Sequence, residues 1–373
     1  MPRQNPKTTH SKLQRSAIAG MQGYTPGEQP SEDGFIKLNT NENPYPPGPA
    51  VQAALANLDA AQLRRYPPPR ADEFRTTAAA LHGVQAGNII PTNGGDELLR
   101  LAFTTFADGG DEIVVTEPGY AIYPVLAAIQ ECSLQQIELD DDFGVPADFP
   151  ERMAQSSAKM LLLVNPHAPS GKLLSADYLA SVAAAFKGVL LIDEAYADFV
   201  DPGQHYNAIK LINEYDNVLI LRTLSKGYSL AGLRFGYGIG AESLVAPMMF
   251  KTRDSYNTDY IAQQLATAAL NDVDYARSTW ERVRQERAVL TAGLEKLGFD
   301  VVPSQTNFVF AQMSQASAAE GLYTALKARK ILVRYFNQPR SAHALRITVG
   351  SAEENIGLLD ALADIMARGV GES

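Results

Sequence analysis

The sequence predicts an α/β protein in which a mostly parallel β-sheet lies between helices and a smaller α+β domain follows. From about residue 85, short runs rich in β-branched residues alternate with amphipathic stretches of helical period, which is typical of a parallel sheet covered by helices. After about residue 250 the pattern changes to one long helical stretch followed by short, scattered strands. That change indicates a second architecture, of the α+β kind.

Short apolar runs define the strands of the predicted sheet, at 113–116, 160–164, 189–192 and 218–221. Polar residues follow the last three at once: Asn165-Pro166, Asp193-Glu194-Ala195-Tyr196, and Arg222-Thr223-Leu224-Ser225-Lys226. Ligands of open parallel sheets bind beyond the carboxyl ends of the strands. We therefore expect the three clusters to meet in one crevice.

The second part of the chain is predicted to hold a long helix over 273–297 and short strands at 307–310 and 345–349. A proline-rich run over 43–49 is predicted to cross onto this smaller domain. The sequence shows no internal repeat.

Composition excludes several classes of function. A formal net charge of -10 argues against a general nucleic-acid binder, because such a protein needs a basic face to displace counterions. No apolar window has the length of a membrane span, which predicts a soluble protein without a membrane partner. The single cysteine, Cys132, excludes an intrachain disulfide and favours a reducing, cytoplasmic location. An anionic substrate would have to be held by a few placed arginines.

The strongest motif is LRTLSKGYSLAGLRFG, over residues 221–236. A lysine directly after a buried strand is partly desolvated, which lowers its pKa and allows its amine to form a Schiff base. Lys226 has that place, and Thr223, Ser225 and Arg234 around it can bind a phosphate group. The alternative is a surface lysine with a solvated arginine.

Asp193 ends an apolar run in VLLIDEAYADF, where a carboxylate is costly to bury unless it meets a positive partner. A protonated pyridine nitrogen is such a partner, and this ion pair is what pyridoxal 5′-phosphate (PLP) chemistry requires. Tyr196, and Asn165 from the neighbouring strand end, could donate to the hydroxyl of the same ring. The alternative for Asp193 is a helix N-cap.

A Gly-Gly turn opens the predicted helix NGGDELLRLAFTTF, over residues 93–106. The N–H groups of Gly95 and Asp96 could bind the same phosphate, because a helix N-terminus attracts anions. The alternative is an ordinary capped helix. Tyr120, after another strand, could stack on a flat ring, although a lone tyrosine is more often part of a core.

Other chemistries lack their motifs. The five histidines show no metal-ligand spacing, Cys132 has no nearby base, and neither a P-loop nor a dinucleotide-binding glycine turn is complete. No metal site is expected. A nicotinamide oxidoreductase is therefore disfavoured, and a non-catalytic binding module would have little use for Lys226, Asp193 and Tyr196 together.

From about Tyr24 to its end, the chain resembles the histidinol-phosphate aminotransferases, a family of PLP enzymes of fold type I. The strings that carry the resemblance are YTPGEQP, IKLNTNENPYPPGP, RRYPPP, GGDELLRLAF, NPHAPSG, DEAYADF, RTLSKGYSLAGLRFGYGIG, SQTNFVF and LRITVGSAEEN. Two departures are Gly94-Gly95, where the family usually has Gly-Ser or Gly-Ala, and His167-Ala168, where an asparagine-containing pair is commoner.

The resemblance implies a role for each site residue. Lys226 forms the Schiff base and shuttles protons, Asp193 pairs with the pyridine nitrogen, Tyr196 and Asn165 bond the ring oxygen, and Tyr120 stacks on the ring. The phosphate is held by Gly95, Asp96, Thr223, Ser225 and Arg234, with Tyr66 arriving from the second subunit of a homodimer. The substrate contacts are Tyr24, Asn43, Arg334 and Arg346.

The resemblance also implies a seven-stranded sheet. The first 27 residues are basic and contain no acid, which favours a flexible arm over the alternative of a transit peptide. With the change of pattern near residue 250, the chain is predicted to divide into four parts. These are a flexible arm (1–22), a segment that crosses onto the small domain (23–48), a large PLP-binding domain (49–249) and a small C-terminal domain (250–373). The implied reaction is ping-pong transamination of L-histidinol phosphate with 2-oxoglutarate. The alternatives on the same fold are an aromatic amino-acid aminotransferase and a PLP-dependent phospho-amino-acid decarboxylase.

Overall fold

The structure, a computed structural model, describes residues 13–30, 32–314 and 316–368, so that residues 1–12 of the predicted arm lie outside it. The strands are β1 Ile36–Lys37, β2 Ile89–Thr92, β3 Glu112–Glu117, β4 Ser133–Glu138, β5 Met160–Val164, β6 Val189–Asp193, β7 Val218–Thr223, β8 Gly236–Gly240, β9 Asp300–Val302, β10 Phe308–Gln312, β11 Ile331–Leu332, β12 Arg334–Tyr335 and β13 Ala344–Thr348.

The α-helices are α1 Ser16–Ala19, α2 Pro49–Ala56, α3 Asp72–His82, α4 Gly95–Phe106, α5 Ile122–Gln130, α6 Phe149–Gln155, α7 Ala176–Ala185, α8 Glu242–Pro247, α9 Tyr260–Asn271, α10 Val273–Lys296, α11 Ala316–Ala328 and α12 Ala352–Arg368. Short 3-10 helices span Ala60–Arg64, Ala86–Asn88, Ala197–Phe199, Pro202–Gln204, Ala208–Asn213 and Ala231–Leu233, and Met248–Thr252 is a π-helical turn.

A seven-stranded sheet with the order β2-β8-β7-β6-β5-β3-β4 forms the larger layer. Its pairs from β7 through β6, β5 and β3 to β4 are parallel, while β8 is antiparallel to both β7 and β2. The predicted fold class, with a mostly parallel seven-stranded sheet, is confirmed. The four strands predicted from apolar runs are its central members.

Both faces of this sheet are covered, which explains why its central strands are apolar without alternation. Successive residues of β5 point to opposite faces: Leu161 and Leu163 pack in one core with α3, α7 and α9, whereas Met160 and Leu162 pack in the other with α4 and α5. All of these side chains are buried. Polar groups are thereby left to the strand ends, where the chain leaves the sheet.

A four-stranded antiparallel sheet, with the order β12-β13-β10-β9, forms the second layer. Helix α10 buries residues spaced three or four apart, which places them on one helical face: Ala276, Thr279, Val283, Arg287, Leu290 and Leu294. Of these, Val283, Leu290 and Leu294 pack in one core with β9, β10 and β13 of the second layer. Segment 23–48 meets this part of the chain where β1 pairs in parallel with β11. The predicted domain boundaries themselves stay predictions.

At the beginning of the described chain, Arg15 donates a hydrogen bond to the carbonyl of Ile129 over 3.2 Å and forms an ion pair with Glu131. Among the described helices, none combines the length and apolar character needed to cross a bilayer. The described residues also contain no group of three His, Cys, Asp or Glu side chains able to hold a metal ion.

Candidate active site

A cavity of about 320 Å³ lies where the carboxyl ends of β3, β5, β6 and β7 face the strands β12 and β13. This is the place predicted for a ligand of a parallel sheet. Twelve of the fifteen predicted site residues line it: Tyr24, Gly95, Asp96, Tyr120, Asp193, Tyr196, Thr223, Ser225, Lys226, Arg234, Arg334 and Arg346. The other three, Asn43, Asn165 and Tyr66, lie outside the lining.

Lys226 follows the end of β7, and its Nζ donates to the backbone carbonyl of Thr40 over 2.8 Å. Burial, and then the positive charge of Arg346, lower the pKa of the Lys226 amine to about 8. A neutral amine is the nucleophilic form, so this environment favours covalent chemistry at Nζ. The alternative of a solvated surface lysine does not fit this position.

Asp193 ends β6 and is 5% exposed. Its Oδ2 accepts a hydrogen bond from the hydroxyl of Tyr123 over 2.9 Å, and its Oδ1 accepts the N–H of Ala195 over 3.1 Å. Burial raises the pKa of this carboxyl to about 6 against the opposing effect of these bonds. A cation placed in the cavity would satisfy the carboxylate, and the bond to Ala195 shows that Asp193 also caps its own turn.

Donors suited to an anion converge at one end of the cavity. Ser225 and Thr223 lie hydroxyl to hydroxyl, 2.9 Å apart, and Nη1 of Arg234 lies 3.4 Å from Oγ of Ser225. Helix α4 begins here at Gly95, where first-turn N–H groups have no acceptor within the helix. Gly94 has φ +75°, and a Cβ at this position would lie 2.5 Å from Nη2 of Arg234. Gly94, which the family pattern shares, thus makes room for the arginine. At Gly95, where the chain departs from that pattern, a Cβ would lie 3.1 Å from Cδ2 of Leu221.

Tyr120 stands between two other tyrosines, with edge-on ring contacts to Tyr24 at 5.7 Å and to Tyr123 at 5.6 Å. Its hydroxyl donates to Oδ1 of Asp96 over 3.3 Å. This support fixes the tilt of the Tyr120 ring beside the cavity. A flat ligand can stack on such a ring.

His167, at the second departure from the family pattern, connects two loops. His167 is buried, and its ring nitrogens lie 2.7 Å from Oγ of Ser170 and 2.9 Å from the carbonyl of Pro118. Burial lowers the pKa of His167 to about 4, so the ring is neutral at pH 7. The residue joins the loop after β5 to the loop that carries Tyr120.

The two predicted donors to a ring oxygen differ in position. Tyr196 lines the cavity, and its hydroxyl accepts a hydrogen bond from Nδ2 of Asn41 over 3.0 Å. Asn165 is fully buried behind the lining, and its Nδ2 donates to the carbonyl of Leu174 and the hydroxyl of Tyr206 over 3.1 and 2.9 Å. Only Tyr196 presents its polar group to the cavity itself.

The two remaining predicted residues also lie elsewhere. Nδ2 of Asn43 faces the carbonyl of Gly227 at 3.4 Å and Oγ1 of Thr279 at 3.3 Å. Tyr66 is 80% exposed and stacks on Tyr256 with a ring separation of 4.4 Å. The predicted substrate contact of Asn43 and the predicted cofactor contact of Tyr66 stay predictions.

The wall of the cavity formed by β12 and β13 carries two arginines. Nη2 of Arg346 donates to the carbonyl of Asn39 over 3.0 Å, while its buried Nε has no hydrogen-bond partner among the described residues. Phe336 lies beside both cations, with its ring centre 5.3 Å from the Arg334 guanidinium and 5.4 Å from that of Arg346. A buried donor without a partner is costly. This end of the cavity is therefore built to receive an anion.

Several residues of the site were missed by sequence reasoning. Tyr123 was overlooked because its place in an amphipathic helix favours a core role, and Asn41 and Phe336 because no local pattern distinguishes them. A buried network behind the site was also missed, in which Arg222 forms ion pairs with Glu194 and Asp198. The only available signal for it was the acidic content of the DEAYAD string after β6.

The donor set fits PLP on observations of this structure. A buried carboxylate, Asp193, faces the cavity for a ring nitrogen, and a glycine-lined cup with Arg234 faces it for a phosphate. Lys226, with a depressed pKa, stands between them for the aldehyde. The aromatic wall at Tyr120 suits the ring. These are the groups that the cofactor requires from a protein.

Comparison with known proteins agrees with this fit. The family described as aminotransferase class I and II matches residues 33–362. The chain is 43% identical to the histidinol-phosphate aminotransferase of Microcystis aeruginosa over 94% of this chain and 98% of that one. It is 42% identical to histidinol-phosphate aminotransferase 1 of Trichormus variabilis, over 94% of this chain and 98% of that protein.

A solved structure is similar over most of its length. The histidinol-phosphate aminotransferase of Sinorhizobium meliloti, crystallised with pyridoxal-5′-phosphate, superposes with a TM-score of 0.82 at 25% identity and covers 89% of this chain and 91% of its own. The fit of the donor set and these relatives make PLP the cofactor of this enzyme. The chain belongs to the class I and II aminotransferases and, within them, to the histidinol-phosphate aminotransferase family.

Proposed function

We propose that the enzyme transfers the amino group of L-histidinol phosphate to 2-oxoglutarate, which yields imidazole-acetol phosphate and glutamate in histidine biosynthesis. The observation that carries this proposal is the pair Arg334 and Arg346, which are register partners on β12 and β13 and line the same cavity as Lys226. A phosphate monoester is nearly dianionic at neutral pH, with three acceptor oxygens, and two adjacent guanidinium groups match it in charge and in donors.

The aromatic side chains of the same wall suit the rest of the donor. Phe336 and Tyr24 line the cavity beside the arginines, and Tyr120 closes the neighbouring side. A flat heteroaromatic ring such as imidazole can pack against these faces. The acceptor, 2-oxoglutarate, can use Arg346 for a carboxylate, because one bidentate arginine satisfies such a group.

Each residue of the site has its own role in the proposed reaction. PLP, when bound, supplies an electron-withdrawing ring that stabilises negative charge on the substrate carbon. Asp193 keeps the proton on the ring nitrogen, and Tyr120 supports the ring from one side. The amine of Lys226 would take the proton from the substrate carbon and deliver it to the carbon of PLP that carried the aldehyde, so that the amino group remains with the cofactor. In the second half-reaction it would move a proton in the opposite direction. Arg346 and Arg334 hold the anionic end of the substrate so that this carbon faces Nζ.

We further propose that the enzyme is a homodimer with shared active sites. Support comes from Tyr66 and Tyr256, a stacked aromatic pair in which both side chains are exposed, at 80% and 47%. Exposed aromatic pairs are common at interfaces, and most homo-oligomers close with twofold symmetry. In a dimer, Tyr66 would enter the phosphate end of the partner's cavity. We place the enzyme in the cytoplasm, since its single cysteine suits a reducing compartment.

The proposed reaction is tested by comparing kcat/KM for L-histidinol phosphate and L-phenylalanine, with 2-oxoglutarate as acceptor. We expect histidinol phosphate to be preferred by more than tenfold. A preference for phenylalanine would assign the enzyme to the aromatic aminotransferases instead. Release of CO₂ from a phospho-amino acid, without amino transfer, would point to the decarboxylase alternative.

A further inference from the structure

Asn41 occupies the junction between the two sheets. Its backbone N–H donates to Oγ1 of Thr348 over 2.9 Å, and its carbonyl accepts from Nδ2 of Asn307 over 2.9 Å. Both partners belong to the second layer, at β13 and just before β10. Asn41, Thr348 and Asn307 are each exposed by no more than 2%. The position of Asn41 is therefore set by buried bonds on either side of its peptide units.

The amide of Asn41 has a defined orientation. The hydroxyl of Thr348 already accepts the backbone N–H of Asn41, and it donates its own hydrogen to Oδ1 of Asn41 over 3.1 Å. The carbonyl end of the amide is thereby fixed on Thr348. The other end, Nδ2, is directed at the hydroxyl of Tyr196, 3.0 Å away. The amide nitrogen can only donate, so the Tyr196 oxygen accepts this bond.

The direction of this bond determines where the hydrogen of Tyr196 points. Since the Tyr196 oxygen accepts from Asn41, its own O–H is free to donate. Within the described part of the chain, no acceptor for that hydrogen is found, and Tyr196 lines the cavity. Phe308 packs edge-on against the Tyr196 ring, with centroids 5.0 Å apart, which limits its rotation. The O–H of Tyr196 is thus left to a ligand.

We propose that Asn41 is a positioning residue that orients the Tyr196 hydroxyl as a donor toward the ring oxygen of PLP. The inference rests on the proposed cofactor function. It adds Asn41 to the site, beside Lys226, Asp193 and the donors to the phosphate group. The bond donated by Asn41 acts to lower the pKa of Tyr196, opposite to the larger effect of burial, which raises it. A hydroxyl that accepts one hydrogen bond donates its own hydrogen more strongly. Without Asn41, the phenol has no fixed partner on the protein side.

The backbone of Asn41 allows a near-isosteric test. Asn41 has φ +55°, a left-handed conformation that asparagine and aspartate tolerate better than alanine. Asn41→Asp keeps an oxygen for Thr348 but replaces the donor to Tyr196 with an acceptor. Tyr196 would then donate to the carboxylate and no longer to the cofactor. The matched control is Asn57→Asp, on an exposed residue at the end of α2, remote from the cavity lining.

The experiment measures dissociation constants by equilibrium dialysis for two probes. They are pyridoxamine 5′-phosphate, which forms no covalent bond with a lysine, and its 3-deoxy analogue, which lacks the ring hydroxyl. In the wild-type protein we expect the hydroxylated probe to bind about ten- to a hundredfold more tightly, as for one hydrogen bond to a charged acceptor. The added charge in Asn41→Asp affects both probes alike, so the ratio of their constants isolates the oxygen contact.

We expect Asn41→Asp to reduce that ratio to near one, as Tyr196→Phe does, and Asn57→Asp to leave it unchanged. The double variant Asn41→Asp/Tyr196→Phe should lose nothing further, because both changes act on one contact. If Asn41→Asp does not fold, Thr348→Val serves in its place: it releases the amide and should lower the ratio while Asn41 remains.

Other results have distinct meanings. A wild-type protein that binds neither probe would overturn the proposed cofactor function itself. A wild-type protein that binds both probes equally, or folded Asn41→Asp and Thr348→Val variants that keep the wild-type ratio, would overturn only the role of Asn41.

Discussion

Arg334 and Arg346 are register partners on the antiparallel strands β12 and β13. Residues directly opposite each other in such a pair project from the same face of the sheet, and like charges in this arrangement destabilise it. The ring of Phe336 makes a cation–π contact with each of the two guanidinium groups. An anion that contacts both cations relieves the repulsion between them. The arrangement therefore destabilises the empty protein and favours the binding of a dianion.

This pairing predicts unequal effects of two substitutions. Arg346→Ala should weaken every donor, including glutamate, because Arg346 reaches any carboxylate or phosphate in the cavity. Arg334→Ala should selectively harm histidinol phosphate, by about 2–4 kcal/mol in kcat/KM, since it removes one charged donor from the dianion. Steady-state kinetics with histidinol phosphate and with glutamate check this, and Arg334→Lys is the charge-conserving control. If Arg334→Ala lowers kcat/KM equally for both donors, Arg334 does not recognise the phosphate group.

The environment of Lys226 predicts how capture of the cofactor depends on pH. Burial and Arg346 lower the pKa of the amine to about 8. Only the neutral amine attacks an aldehyde, so the rate of covalent capture by the apoenzyme should rise with pH and level off above about 8. Removing the nearby positive charge in Arg346→Ala should raise this pKa and move the midpoint to higher pH. Stopped-flow absorbance during reconstitution measures the rate of capture as a function of pH. An unchanged midpoint in Arg346→Ala would show that Arg346 does not lower the pKa of Lys226.

The covalent site itself can be mapped. The purified enzyme should be yellow, and borohydride reduction followed by peptide mapping should place the pyridoxyl group on Lys226. Lys226→Ala should still bind PLP through the phosphate and ring contacts, but without covalent capture. Lys172, which pairs with the exposed Asp142, gives a control lysine outside the cavity lining. Label on any lysine other than Lys226 would refute the mechanism.

Asp193 is predicted to act electrostatically. Asp193→Asn keeps the shape of the side chain but no longer holds the pyridine proton, so each half-reaction should slow by about 10²- to 10³-fold, the range typical of removing one preorganised electrostatic contact. Tyr123→Phe removes only the hydrogen bond that supports Asp193 and should slow it far less. Single-turnover absorbance measures both. Near-wild-type rates for Asp193→Asn would reduce the aspartate to the cap of its own turn.

A shared active site predicts complementation between defective subunits. Sedimentation should show a dimer at assay concentrations, and Tyr66→Ala should weaken cofactor binding. If each cavity takes Lys226 from one subunit and Tyr66 from the other, a hybrid of Lys226→Ala and Tyr66→Ala subunits has one intact site. Co-expression should then give more activity than either variant has when it is purified alone. An active monomer would contradict the proposal.

Local sequence was sufficient to place the residues that follow strands. Lys226, Asp193 and Tyr196 each lie within five residues of the end of an apolar run, and the parallel neighbours β6 and β7 bring those ends together. The arginines of β12 and β13 required the family resemblance, because short strands of an α+β region carry little pattern. Contacts between distant segments could not be predicted: Asn41 and Tyr196 are 155 residues apart, and Tyr123 and Asp193 are 70 apart.

The Asn41 and Asn43 pair shows a further limit. Both lie in the string NTNENP, and only backbone geometry decides which one turns toward the cavity. The left-handed conformation at Asn41 directs its amide to Tyr196, while Asn43 faces Gly227 and Thr279. Tyr66 shows another, because the contact that we propose for it crosses a subunit boundary, and the local pattern of one chain carries no signal for such a contact.

The cavity takes its lysine and carboxylate from one sheet and its arginine pair from another, and this separation bears on how such enzymes diversify. A duplicated gene that loses Arg334 would still encode Lys226, Asp193 and the glycine-lined cup with Arg234. The encoded enzyme would keep its chemistry and change its preference among substrates. Natural selection can therefore explore new donors through a single edge strand, β12, without passing through inactive ancestors.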